Sequence, residues 1–404
     1  MVKTIKASER CKNLKSPIRD IGYLAKEVQK TGKKIYFFNI GDPNKFDFYT
    51  PRHMKEALKK AVENHNYYSE SEGDRELIEA IIKEEKKKNN ISITNEDVII
   101  TNGVSEGLQF LLNAIIEPGK GDEILIPGPS YPIYIQATKF AGGIPITYKL
   151  DEEKNWEIDV DDLRKKISVK TKLICIINPN NPTGSVTNKK TIKEILNIAA
   201  EFEIPIASDE IYDGLIFDDV EYKNVASLAD DVPVIILNGF SKNYLATGWR
   251  CGYIYFYDKN NKLSEIKEAI KAQARQRLSA CTPIMKACAK AFEDKSHLTE
   301  VNRKLRERAN FSYKRLNKIP NISTKKPSGA FYIFPKIDLN GIWKNDEEFV
   351  KDVLINTGIV FVQGSGFDPV YGKDHFRSVI LPPISLMEEA FNKLENFMKE
   401  KVRR

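Results

Sequence analysis

The residues best suited to chemistry in this chain fall in four short polar clusters, each placed just after an apolar run of strand length. After residues 98–101 (VIIT) come Asn102, Gly103, Val104 and Ser105. After 172–177 comes a stretch stiffened by two prolines and a glycine, 178–184 (NPNNPTG). After 204–208 come Asp209, Glu210, Ile211 and Tyr212. After 232–237 come Gly239, Phe240, Ser241 and Lys242, followed by Gly248, Trp249, Arg250, Cys251 and Gly252. Gly103 lets the backbone approach a ligand, and the helix opening behind it offers free N–H groups and a positive dipole end to an anion. The 178–184 loop is rigid enough to hold one amide side chain in place. An acid at the mouth of a buried strand is costly unless paired, so Asp209 either caps a helix or faces a cation. Lys242 is the most informative of the set, because lysine is seldom buried. Desolvation and nearby cations lower the pKa of such an amine, which makes sense if the amine is consumed in an imine. Each cluster alone is explicable as a cap or a turn; four in succession point to one site.

The elements that must carry these clusters follow a regular order. Apolar runs at 98–101, 123–127, 144–148, 172–177, 204–208, 232–237 and 252–257 alternate with helical patterns, among them 105–116, a stretch ending at 141, and 191–202. Earlier helices are expected at 18–31, from Pro51 with Thr50 as its N-cap, and over 72–88. Nearly all-apolar strands alternating with helices predict an α/β fold, with a mostly parallel seven-stranded sheet covered on both faces. Ligands of such sheets bind at the carboxyl ends of the strands, where the four clusters lie. Beyond residue 260 the pattern changes to long helices, one ending near Arg277 and another over 298–317. Short strands at 330–335, 359–362 and 376–380 and a terminal helix from Ser385 follow. A smaller α+β domain is therefore expected at 301–404, a large domain at 49–300, and an N-terminal arm at 1–48 packing with the small domain.

Bulk composition excludes several classes. The chain has 404 residues, 41% of them hydrophobic and 29% charged, an ordinary balance for a globular enzyme. No apolar run reaches membrane-spanning length, and the opening MVKTIKASER has no secretory h-region. Five scattered cysteines form no C-x-x-C pair and four histidines no cluster, so neither a disulfide framework nor a metal site is expected. A reducing, cytoplasmic setting follows. The net charge of +7 is mild, and the most basic run, 83–88 (KEEKKK), reads as a solvated helix face rather than a nucleic-acid surface.

With NPNNPTG, SDEIY (208–212) and SKNYLATGWRCG (241–252) in this order, the chain resembles the fold-type I, class I/II aminotransferases that depend on pyridoxal 5′-phosphate (PLP). The resemblance runs from about Ser16 to the last helix. NIGDPNKFDF (39–48), PGPSYP (127–132), GAFYIFPK (329–336) and HFRSVILPP (375–383) are similar to archaeal alanine aminotransferases. That resemblance implies roles. Lys242 would carry the cofactor and shuttle a proton, and Asp209 would pair with the pyridine nitrogen. Asn181 and Tyr212 would hydrogen-bond the phenolate oxygen, and Tyr131 would stack on the ring. Gly103, Val104, Ser105, Ser241 and Arg250 would seat the phosphate. Tyr68 would reach the phosphate of the neighbouring subunit, which implies a homodimer with shared active sites. Arg377, with the backbone of Gly41, would bind the substrate α-carboxylate. The sequence departs from the usual pattern at Gln363, where relatives often have proline, and at Val104, where small residues are common.

The expected reaction is ping-pong amino transfer between an amino acid and a 2-oxo acid, with alanine and 2-oxoglutarate as the preferred pair. An aromatic or broad-specificity aminotransferase is the nearest alternative. A C–S β-lyase is a third, disfavoured by Asn180 and Thr183, where lyases carry histidine and an apolar residue. Arg275 and Arg277 have no assignable place against a distal carboxylate.

Overall fold

The computed structural model describes residues 3–12, 14–218 and 220–402. Met1, Val2, Asn13, Asp219, Arg403 and Arg404 lie outside the described residues, and with them the outer ends of the expected arm and small domain.

Eight strands form the central sheet, in the order Val98–Thr101, Gly252–Tyr257, Val234–Gly239, Ile206–Asp209, Thr171–Ile177, Glu123–Gly128, Ile144–Asp151, Glu157–Ile158. The seven expected strands are all present. The eighth, Glu157–Ile158, is a two-residue edge strand, too short to stand out as an apolar run, and pairs antiparallel with the end of Ile144–Asp151. From Ile144–Asp151 to Val234–Gly239 the pairings are parallel, while Gly252–Tyr257 runs against both its neighbours.

Alternate side chains leave a strand on opposite faces. Ile235 and Leu237 therefore join one core with Leu108, Leu111 and Ile270, which come from the helices Val104–Ile115 and Ser264–Arg277. Val234 and Ile236 join the core on the other face with Ile192 and Ile195 of the helix Lys189–Glu201. Burial on both faces is why these strands read as unbroken apolar runs.

A second group of elements brings further residues to the carboxyl ends of the sheet. Tyr36–Phe37 pairs in parallel with Ile359–Val360. Phe376–Val379 lies between Tyr332–Ile333 and Val362–Gln363 in a three-stranded antiparallel sheet.

One local expectation fails and a second holds only in part. Thr50 does not cap the helix Arg52–Asn64; Pro51 holds the N-cap position, and Thr50 Oγ1 donates to the Leu245 carbonyl at 2.6 Å. The run 83–88 is solvated at Lys83, Lys86 and Lys87 but not throughout. Glu84 and Glu85 are buried, and Lys88 reaches Asp213 at 2.6 Å, because this side of the helix Arg75–Asn89 packs inward. Among the described residues no helix is long and apolar enough to cross a membrane, and no group of three or more His, Cys, Asp or Glu side chains could hold a metal ion.

Candidate active site

The carboxyl ends of the strands open into a cleft of about 670 Å³. Gly41, Val104, Ser105, Tyr131, Asn181, Asp209, Tyr212, Ser241, Lys242, Arg250 and Arg377 all line it, from segments as far apart in sequence as residues 41 and 377. Gly103 lies against Arg250: a Cβ there would stand 2.3 Å from Arg250 Nη2. Tyr68 is away from this cleft, on the surface, with 80% of its area exposed.

Lys242 follows the strand Val234–Gly239 and is half-buried at the cleft floor. Its Nζ donates to the Gly41 carbonyl at 2.9 Å and stands 5.2 Å from the centre of the Phe331 ring. Burial lowers its pKa from 10.5 to about 8; the cations Arg377 and Arg250 push the same way and Asp42 pushes against them. An amine with a pKa near 8 is unprotonated in part at neutral pH, which an exposed lysine is not.

Asp209 ends the strand Ile206–Asp209 and is buried. Burial raises its pKa to about 6, opposed by hydrogen bonds from the Tyr134 hydroxyl at 2.7 Å and the Ile211 amide at 3.1 Å, and by the charge of Lys242. A carboxyl poised this way gains from a cationic partner. Tyr212, three residues on, has its hydroxyl 2.8 Å from that of Tyr332, and burial pushes its phenol well up.

Arg250 has a left-handed backbone (φ +53°), a conformation that costs a non-glycine residue about 1 kcal/mol. It aims Nη1 at the Thr247 carbonyl (2.9 Å) and Ser241 Oγ (3.4 Å), with Nη2 at the Asn102 carbonyl (3.4 Å). The helix Val104–Ile115 begins here with Gly103 as its N-cap at φ +82°. The leading N–H groups of a helix have no intrahelical acceptor. Guanidinium, hydroxyl and free amides together are the donor set that can seat an anion.

Arg377, in the middle strand of the small sheet, is 1% exposed. Nη1 donates to Asn181 Oδ1 at 2.9 Å and Nη2 to the Asn39 carbonyl. Its guanidinium lies 4.5 Å from the Tyr332 ring centre and 4.8 Å from that of Phe367. Nε is buried without a partner, and no carboxylate is paired with Arg377 among the described residues. A buried, unpaired guanidinium is expensive unless an anion arrives to meet it.

Several residues of this site carry no assigned role in the sequence reading. Tyr332 lies within the 329–336 motif, and a tyrosine in an apolar strand needs a partner for its hydroxyl, which was a usable signal. It also explains Gly41, where a Cβ would fall 2.3 Å from the Tyr332 hydroxyl. Tyr134 fixes Asp209, and Asp42 accepts from Thr247 Oγ1 at 2.8 Å, tying the Gly41 segment to the Arg250 turn. Lys15 and Arg19 line the cleft mouth from the N-terminal segment, with no carboxylate bound to Arg19 among the described residues.

An amine, a buried acid and Arg250 gather at the strand ends of the α/β sheet with Arg377 facing them from the small sheet, and the chain belongs to the family described as aminotransferase class I and II, whose model matches residues 33–393. Members of this family typically use PLP. In structure the chain is similar to an alanine aminotransferase from Pyrococcus furiosus, with 54% identity, 98% of this chain and 100% of that chain covered, and a TM-score of 0.95. In sequence it is 34% identical to the glutamate-pyruvate aminotransferase AlaA of Haemophilus influenzae over 98% of both chains. It is also 34% identical to an aspartate aminotransferase of Pyrococcus abyssi, over 91% of this chain and 93% of that protein.

Proposed function

We propose that this chain is an alanine aminotransferase that exchanges an amino group between alanine and 2-oxoglutarate, with PLP carried on Lys242. The observation that carries the reading is the convergence of Lys242, Asp209, Arg250 and Arg377 on one cleft. The residues fit the cofactor: there is no room for a side chain at Gly103, where Arg250 and the helix amides face a phosphate, and Asp209 is buried where it can meet a cationic ring nitrogen. Bound there, PLP supplies a reactive carbonyl and a ring that accepts electrons while the substrate Cα–H bond is broken.

The chain's own residues do the rest. Lys242 would hold the cofactor through Nζ, and its amine would move a proton as a general base and acid. Asp209, ionised by a cationic partner, keeps the ring nitrogen protonated. Asn181 and Tyr212 hold the ring oxygen, and Tyr131 packs on the ring face. Arg377 takes the substrate α-carboxylate as a fork beside the Gly41 backbone.

The substrate assignment draws on the higher identity to the alanine enzyme of P. furiosus than to the aspartate enzyme of P. abyssi. Lys15 and Arg19 at the mouth support a dicarboxylate partner such as 2-oxoglutarate. Asn180 Oδ1 accepts from the Thr183 amide (3.1 Å) and hydroxyl (2.9 Å), which makes both residues parts of one loop clip. Tyr68, exposed beside the exposed Tyr67 and Val62, is offered to a second copy of the chain, as a homodimer with shared sites requires. We assign residues 49–300 to the cofactor-holding unit and 1–48 with 301–404 to the unit that brings Gly41 and Arg377. We place the chain in a reducing, cytoplasmic setting on the scattered spacing of its five cysteines.

Lys242→Ala tests the core of this reading. It abolishes both amino transfer and the visible absorbance of the PLP-loaded protein; retention of that absorbance overturns the assignment.

A further inference from the structure

Glu106 stands in the first turn of the helix Val104–Ile115 and reaches back over the turn assigned above to the phosphate. Its Oε2 accepts from the Asn102 amide at 2.7 Å and its Oε1 from Asn102 Nδ2 at 2.9 Å. These bonds hold the Asn102–Gly103 turn in the shape that lets Gly103 lie against Arg250. They also place a carboxylate directly behind the turn that would seat a dianion, and like charges repel more strongly where water is scarce. Arg277, the last residue of the helix Ser264–Arg277, meets that carboxylate: Nη1 donates to Glu106 Oε2 at 2.7 Å and Nη2 to the Ser71 carbonyl at 2.8 Å. The two side chains are only 13% and 17% exposed, so salt screens them weakly. Arg277 does not line the cleft, which removes it from direct contact with a substrate there.

We propose that Arg277 is a positioning residue for the cofactor: it neutralises Glu106, so that Glu106 shapes the phosphate-binding turn without repelling the phosphate. Through Ser71 the same guanidinium ties that turn to the segment bearing Tyr68. The inference rests on the placement of the phosphate proposed above.

The test is a charge cycle read as the PLP dissociation constant of each variant, measured by absorbance titration of the apo-protein, with inorganic phosphate as a competing probe. Arg277→Met weakens PLP and phosphate in parallel, by about tenfold or more, the scale of leaving one member of a mostly buried pair uncompensated. Glu106→Gln alone binds within about threefold of the parent, and the double variant recovers most of the loss, because the repulsion is gone. A double variant no tighter than Arg277→Met overturns the charge role and leaves a purely structural one, as does an unchanged constant in Arg277→Met. Should Arg277→Met not fold, shown by its melting curve, Arg277→Lys keeps the charge and binds PLP within about threefold of the parent; a loss there as large as tenfold counts against neutralisation. Arg250→Met separates the two readings: if it too leaves the constant unchanged, the phosphate seat itself is misplaced and the inference falls with it.

Discussion

Arg377 offers the sharpest perturbation, because its surroundings predict both what changes and what does not. It is buried, holds Asn181 Oδ1 and the Asn39 carbonyl, leaves Nε without a partner and has no carboxylate paired to it among the described residues. A substrate α-carboxylate completes it with two parallel charge-assisted hydrogen bonds. Each such bond contributes about 1.5–3 kcal/mol. Arg377→Lys retains the charge but not the fork, and so loses about one of the two. The expected result is a fall of about 10- to 100-fold in kcat/KM for both the amino acid and the oxo acid, since each tenfold corresponds to about 1.4 kcal/mol. PLP affinity stays within about twofold, because the phosphate seat at Gly103 and Arg250 is untouched. The assay is steady-state kinetics in both directions alongside a PLP titration. An unchanged kcat/KM, or a loss of PLP affinity as large as the loss in kcat/KM, refutes the assignment of Arg377 to the substrate.

Two further outcomes follow from the same geometry. Only the unprotonated amine of Lys242 attacks a carbonyl, so the rate at which the apo-protein loads PLP rises with pH around a midpoint near 8, well below that of an exposed lysine. Asp42 raises that pKa, so Asp42→Asn moves the midpoint to lower pH, and a stationary midpoint counts against the coupling. Mixing a Tyr68→Ala chain of low activity with an inactive Lys242→Ala chain regenerates dimers with one intact site if Tyr68 serves the partner, because the Tyr68→Ala protomer keeps its own Lys242 and Arg250 and takes Tyr68 from the other chain; no recovery after verified subunit exchange argues for self-contained sites.

The sheet was legible because its strands are buried on both faces and read as unbroken apolar runs, and the chemistry was legible because the clusters follow those runs. Glu157–Ile158 escaped because two residues carry no period. The helix Thr282–Ala289 escaped because eight residues make only about two turns, too short for a clear helical period. The charged run 83–88 misled in part: Lys83, Lys86 and Lys87 are exposed, whereas Glu85 and Lys88 are drawn inward by Asn89, Tyr255 and Asp213. At the site, Lys242, Asp209 and Asn181 are local to strand ends and could be read one by one. Tyr332, Tyr134 and the Glu106–Arg277 pair act through contacts between segments 75 to 171 residues apart, which no local pattern records.

The most direct measurement is amino-donor preference of the PLP-loaded protein with 2-oxoglutarate as acceptor, followed as oxo-acid product from alanine, aspartate, phenylalanine and cystathionine. The account predicts pyruvate from alanine, glutamate formed in equal amount, and kcat/KM for alanine above that for the other donors. A preference for aspartate or phenylalanine, or pyruvate release from cystathionine without any acceptor, contradicts it.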